Sequence, residues 1–370
     1  MCGATTTCLP ASREGTPERG EAVCGEFEVV APRCAAGRWR RRGWCVGRRR
    51  IGVPAHAQKA AAAAVRPPLL RAGDRVRVVA PGSTPDPVRM ARGIEILHSW
   101  GLVVEVAPHV FDRYGYLAGT DADRLADLNA ALADPGVAAV FAARGGYGTQ
   151  RIVDGLDVKA VRKRPKVVVG FSDITSLQGK LWRDARLVTF YGPMVNWTDS
   201  RTGPESIESL RRAVMTTEPI VITRNPAEST APIVVPGTAT GVLLGGTLTM
   251  VETAIRAGDF PDLSGAILFF EEADERPYRI DRMLTHLLRS GALDRIAAVA
   301  VGQIINSVAG PGEWDANAVV LDRLGALGVP VLGGLPLGHG NGQLTIPLGT
   351  MATIDTAAGT LTVQPGVRPA

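Results

Sequence analysis

Three side chains of types that together transfer acyl groups occur in this chain in the order Ser, Glu, His. Ser172 lies in the stretch Lys166-Val-Val-Val-Gly-Phe-Ser-Asp-Ile-Thr175, between an apolar run closing at Gly170 that reads as a buried strand and a helix-like run that opens at Ile174. A hydroxyl at such a turn leaves the carboxyl edge of a sheet, with the helix's first free N–H groups beside it to meet the charge that develops on an attacked carbonyl. Gly170-Phe-Ser172-Asp-Ile174 keeps the first glycine of the nucleophile-elbow pattern and lacks the second. Taken alone, Ser172 reads better as a helix N-cap. Glu271 opens the cluster Glu271-Glu-Ala-Asp-Glu275 directly after Phe269-Phe270. Carboxylate clusters usually solvate a surface, but the first position after an apolar strand is the one most readily held in a cleft. His339, in Pro336-Leu-Gly-His-Gly-Asn-Gly342, has no apolar face to join. Simple exposure would explain it, and so would an imidazole freed by flanking glycines to reach over a site. His56, His98, His109 and His286 need no more than packing or exposure. Combined, the three supply a nucleophile, an acid and a base in the chain order of α/β hydrolases. The histidine would take the serine proton and return it to the leaving amine, while the carboxylate fixes the tautomer and stabilises the imidazolium.

A glycine loop, Arg144-Gly-Gly-Tyr-Gly148, follows the apolar run Val137 to Ala142. Such glycines let backbone N–H groups approach a ligand. The spacing fits neither a dinucleotide fingerprint nor a phosphate loop, which leaves an anion or oxyanion donor and a plain tight turn both open. The elements around these residues alternate. Strands are expected at 75–80, 102–107, 137–142, 166–170 and 187–191, with helices from Asp86-Pro87 to Trp100 and after a capping-box-like Thr120 and Asp123. That alternation predicts an α/β fold whose N-terminal parallel sheet is flanked by helices, with ligands at the carboxyl ends of its strands. A looser segment, 199–236, carries a helix at 205–215 and reads as the connection between domains. The boundaries expected are therefore 1–66 for a leader, 67–198 for the domain with the nucleophile, and 237–370 for a C-terminal α/β domain with the acid and base.

Of 370 residues, 45% are hydrophobic and 21% charged, as in ordinary soluble globular proteins. Residues 1–70 hold a net charge of +7 and the rest −2, so the basic excess belongs to the leader and implies no nucleic-acid surface on the body. All five cysteines, Cys2, Cys8, Cys24, Cys34 and Cys45, lie in the leader without Cys-x-x-Cys spacing or a neighbouring histidine, which argues against a metal site. The leader, Arg-, Gly- and Ala-rich without an apolar period, reads as disordered or as an extension outside the fold. Its arginine clusters before Ala55-His-Ala57 resemble a targeting signal, yet the apolar core of one is missing. A cytoplasmic protein is expected, export being the alternative, and no run is long enough to span a membrane.

From about Pro67 to Val367 the chain resembles the serine-type LD-carboxypeptidases of murein recycling and their microcin-immunity relatives. The resemblance rests on Gly73-Asp74 with Val79-Ala-Pro81, Gly115-Tyr-Leu-Ala-Gly119, Arg124, Asp127-Leu-Asn129, Ala143-Arg-Gly-Gly-Tyr-Gly148 and Gly170-Phe-Ser-Asp-Ile-Thr175. It continues through Phe190-Tyr-Gly-Pro-Met194, Pro277-Tyr-Arg-Ile-Asp-Arg282, Gly338-His-Gly340 and Leu344-Thr-Ile-Pro347. It implies a two-domain fold whose C-terminal part contains a small barrel-like sheet, an active site between the domains, a homodimer, and no metal or cofactor. The implied reaction releases D-alanine from the L,D bond of a murein tetrapeptide. Carried over, Ser172 is the nucleophile, His339 the base and Glu271, rather than Glu272, the acid. Oxyanion donors would be the N–H of Asp173 and of Gly146 or Gly145. Two positions depart from the family pattern, Thr247 for a common asparagine and Tyr191 for a frequent histidine, and both are expected to line the substrate cleft. The other readings are an amide hydrolase of peptide-nucleotide compounds, as in microcin immunity, and a non-catalytic binder of murein fragments.

Overall fold

The computed structural model describes residues 64–370. The leader reading, its targeting alternative and all five cysteines thus lie outside the described residues, apart from positions 64–66. There Val65 already bonds the fold, donating to Arg186 O at 2.7 Å and accepting from Val188 N at 2.9 Å.

The first sheet contains β1 (Arg75–Val79), β2 (Val103–Val106), β3 (Val137–Ala142), β4 (Val167–Gly170) and β5 (Thr189–Tyr191), all parallel where they pair. Its order is β12-β5-β4-β3-β1-β2, where β12 (Ile346–Leu348) arrives from near the chain's end and pairs antiparallel with β5. β4 is buried along its whole length, as apolar runs without alternation require when helices cover both faces of a sheet. The helices are α1 (Pro87–Ser99), α2 (Asp121–Ala133), α3 (Val158–Lys163) and α4 (Thr175–Ala185). Asp86 caps α1 by accepting from Val88 N and Arg89 N, with Pro87 in the first turn, and Thr120 with Asp123 closes a full capping box on α2.

Eight strands form the second sheet. β8 (Thr238–Thr247), β9 (Ala266–Ala273), β10 (Ala298–Ile305) and β11 (Val331–Leu332) run parallel. Antiparallel β13 (Met351–Asp355), β14 (Thr360–Val363) and β6 (Ile220–Thr223) extend one side, and β7 (Val234–Val235) the other. Among the described residues no pairing joins β6 to β7, so an open mixed sheet stands where a barrel-like one was expected. Its helices are α6 (Leu248–Arg256), α7 (Pro277–Arg289) and α8 (Ala316–Leu324). The chain is a two-domain α/β protein.

The segment expected as a connection is packed into both halves. Its helix α5 (Pro204–Met215) buries Leu210, Ala213 and Val214 in the first core, and its strand β6 bonds β14. The carboxyl ends of β4 and β9 bring Ser172 and Glu271 together.

Candidate active site

Ser172 does not cap a helix. It begins a tight turn, Ser172–Ile174, that leads into α4, and neither has a side-chain cap hydrogen bond. Its φ is +64°, a left-handed conformation that costs a non-glycine residue about 1–3 kcal/mol and persists where surrounding structure enforces it. Gly170 makes the turn possible: a Cβ there would lie 2.8 Å from Ile174 Cγ2. The elbow therefore forms with its first glycine alone.

Ser172 Oγ lies 3.0 Å from His339 Nε2, and His339 Nδ1 lies 2.7 Å from Glu271 Oε2. An ionised carboxylate only accepts, so Nδ1 carries the proton and the Nε2 lone pair faces the serine. Glu271 is fully buried. Its Oε2 also accepts the His339 backbone N–H at 3.2 Å, while Oε1 accepts from Tyr191 Oη at 2.7 Å and Thr247 Oγ1 at 2.6 Å. Four donors thus hold both oxygens in place. Burial works against the His339 imidazolium, but the charge of Glu271 and its hydrogen bond outweigh it, leaving the pKa above the ordinary histidine value.

The strand carrying Glu271 does not stop at Phe270 but runs on to Ala273, with Thr247 opposite Glu271 and Ile304 opposite Glu272. Successive residues of a strand face opposite ways. Glu271 therefore turns toward His339 and Glu272 away from it. There Glu272 accepts from Thr249 N at 2.8 Å, Thr249 Oγ1 at 2.7 Å and Ala273 N at 2.9 Å, and burial pushes its carboxyl up to about 7.

The His339 loop is held from below by Gln303 of β10. Gln303 Oε1 accepts from Gly340 N at 2.8 Å, and its Nε2 donates to Asn341 O and Glu228 Oε1, each at 2.9 Å. Gly338 has φ +130°, and a Cβ on it would fall 2.5 Å from Glu271 Oε2. Gln303 escaped the sequence reading because a glutamine inside an apolar strand gives no local sign of what it bonds 37 residues away.

Gly145 packs on the serine, since a Cβ there would lie 3.0 Å from Ser172 Cβ and 3.4 Å from Asp173 N. Gly146 has φ +93°, and a Cβ would meet Ser83 Oγ at 2.3 Å, so the loop passes where only glycine fits. Among the described residues the N–H groups of Gly145, Gly146 and Asp173 have no protein acceptor. The Asp173 side chain turns inward and ties down the same loop, accepting from Thr149 N at 2.9 Å and Thr149 Oγ1 at 2.7 Å. Burial raises its pKa against those bonds.

A cleft of about 620 Å³ opens over these groups, with Ser172, His339, Gly145, Gly146, Trp197 and Arg201 in its wall. Tyr191 and Thr247, expected to line it, are buried beneath it on Glu271 instead. The β5 and β8 positions that carry them face the carboxylate. Among the described residues His109, Asp112 and Asp123 could together hold a cation, but they lie outside the cleft wall, and Asp123 is engaged in the α2 cap.

Two family models match the chain: LD-carboxypeptidase N-terminal domain at residues 76–192 and LD-carboxypeptidase C-terminal domain at residues 240–354. The Streptomyces coelicolor protein named "Putative carboxypeptidase SCO6489" is 45% identical over 312 residues, 83% of this chain and 97% of that one. This chain belongs to the LD-carboxypeptidase family. The enzyme is accordingly a peptidase, and a serine type fits the family. The "Probable murein peptide carboxypeptidase" of Bacillus subtilis is 36% identical over 82% of the enzyme and 95% of its own length. A crystal structure of muramoyltetrapeptide carboxypeptidase from Oxalobacter formigenes superposes with a TM-score of 0.71 at 29% identity, covering 80% of this chain and all of that one. The microcin C7 self immunity protein MccF, at a TM-score of 0.72 and 22% identity over 81% of this chain and 98% of its own, shares the fold.

Proposed function

We propose that the enzyme is an LD-carboxypeptidase that releases the terminal D-alanine from the L,D bond of murein tetrapeptides, with Ser172, His339 and Glu271 as its catalytic residues. One observation carries this reading: the unbroken hydrogen-bonded run from Ser172 Oγ through both ring nitrogens of His339 to a fully buried Glu271. In this reading His339 Nε2 takes the Ser172 proton as Oγ attacks the carbonyl carbon of the scissile bond. The oxyanion is met by the free N–H groups of Asp173 and of Gly146 or Gly145. Glu271 stabilises the imidazolium, which then protonates the departing amine of D-alanine. Water, deprotonated by the same imidazole, hydrolyses the acyl-enzyme and restores Ser172. Support for a murein substrate comes from the names of the Bacillus subtilis relative and the Oxalobacter formigenes structure. A role in peptidoglycan recycling in the cytoplasm, as a homodimer, belongs to the same reading; light scattering tests the dimer.

The test is incubation with a tetrapeptide ending in D-alanine, followed by mass spectrometry. Tripeptide from wild type and none from Ser172→Ala is the expected result. No product from wild type, or undiminished product from the variant, would sink the reading. Cleavage of an aminoacyl sulfamoyl nucleoside in its place would favour the microcin-immunity reaction, and tight peptide binding without turnover a murein-fragment binder.

A further inference from the structure

The cleft wall holds three arginines, Arg89, Arg144 and Arg201, and two carboxylates, Asp86 and Asp274. Both carboxylates are engaged. Asp86 accepts from the first N–H groups of α1, and Asp274 accepts from Asn306 Nδ2 at 2.8 Å. Arg144 donates to Thr84 O at 3.0 Å. Neither the Arg89 nor the Arg201 guanidinium has a side-chain partner among the described residues, and of the three arginines Arg201 is the one whose charge is felt at His339, where it opposes protonation without outweighing Glu271. The backbone fixes it beside the catalytic loop: Gly342 N donates to Arg201 O at 2.8 Å.

The residue after Gly342 is anomalous. Gln343 is fully buried and borders the cleft, yet neither its Nε2 nor its Oε1 has a hydrogen-bond partner in the protein. An amide left so costs stability on both atoms, and a native fold keeps such a group where something else satisfies it. Arg201 and Gln343 therefore border the cleft from two segments that one backbone hydrogen bond holds together, the guanidinium without a partner and the amide enclosed without one.

We propose that Arg201 and Gln343 form the subsite that takes the C-terminal carboxylate of the peptide. This rests on the carboxypeptidase reading above. An exopeptidase must seat a carboxylate one residue beyond the scissile carbonyl, and the guanidinium is the group with the charge and planar donor pair for it. Gln343 Nε2 supplies a further donor to the carboxylate, leaving Oε1 to accept from a peptide N–H. Arg201 is then a specificity residue, not a catalytic one: it selects free C-termini over internal bonds.

The test compares a peptide ending in free D-alanine with the same peptide ending in D-alanine carboxamide. Binding is measured by calorimetry in a Ser172→Ala background, so that recognition is read without turnover. The acid should bind about 10- to 100-fold tighter than the carboxamide. Adding Arg201→Met should close most of that gap while leaving carboxamide binding unchanged, and Arg201→Lys should restore part of it. Gln343→Leu, which removes the buried unpaired atoms, should narrow the gap without lowering the melting temperature. No gap in the parent, or a gap that survives Arg201→Met, overturns the proposal, as does an equal loss on both peptides. Should wild type fail to cleave either peptide while the Arg201-dependent gap is present, the subsite stands and the hydrolase reading falls.

Discussion

Replacing Glu271 by glutamine separates two things the carboxylate does, orienting His339 and stabilising its charge. An amide has one accepting oxygen and one donating nitrogen. Oε1 of Glu271 meets two hydroxyls, Tyr191 Oη and Thr247 Oγ1, and hydroxyl oxygens can accept as well as donate, whereas Oε2 meets two N–H groups of His339 that can only donate. The amide should therefore settle with its oxygen toward His339 and its nitrogen toward the hydroxyls. The tautomer that points the Nε2 lone pair at Ser172 is kept, and the negative charge is lost. With the charge centres about 4 Å apart and an effective dielectric constant of about 20, that charge is worth about 4 kcal/mol to the imidazolium, or on the order of 10³ in rate. The pH profile gives a second reading. The base works only when neutral, so kcat/KM rises with pH through the His339 pKa. Without the charge of Glu271 the burial that opposes protonation dominates, and this limb should move to lower pH. The assay is release of D-alanine from the tetrapeptide between pH 5 and 9 for wild type and Glu271→Gln, with circular dichroism to check the fold. A variant within about tenfold of wild type, or an acid limb displaced upward, would refute this account of Glu271.

Tyr191→Phe leaves Thr247 as the donor to Oε1 and removes a charge-assisted hydrogen bond, so it should cost about 1.5–3 kcal/mol in urea unfolding; an unchanged midpoint would show that the hydroxyl does not hold the carboxylate. Glu272 makes stability depend on pH in a direction its environment sets. Its carboxyl is raised from 4.5 to about 7 by burial, so the folded state binds the proton more tightly. The contribution is fully present below pH 4.5 and is lost as pH rises through about 7, up to about 3 kcal/mol in all. Unfolding at pH 5 and pH 8 should show that loss in wild type and a smaller one in Glu272→Gln, and parallel changes in the two proteins would argue against it.

What could be read in advance was what local chemistry announces. Ser172 and His339 stand where an apolar period stops and glycines begin, and the chain order then linked them to a carboxylate. Glu271 lies inside β9 and not just beyond its end, because charged side chains break an apolar run without breaking the ladder that carries β9 on to Ala273. Tyr191, Thr247 and Gln303 act on partners 80, 24 and 37 residues away, and no periodicity encodes a bond of that kind. The N-cap reading of Ser172 fails because its left-handed φ belongs to a turn whose shape is set around it, with Gly145 packed on the serine and Ile174 on Gly170, and not by the serine's own preference. The short strands β7 and β12 are below the length at which alternation can be recognised, and Pro347 stands in the middle of β12, a residue that sheet interiors exclude.

β12 also sets how the gene could be divided. Its three residues lie seven positions after His339, yet they bond Thr189 to Tyr191 at the border of the first sheet. A fragment that ended before them would present the backbone of β5 unpaired, open to annealing with another molecule, and the complementary fragment would carry a strand with nowhere to dock. Expressing the two halves separately should therefore yield insoluble or swapped species, so the nucleophile-bearing half is not expected to fold cleanly without the segment that follows its base.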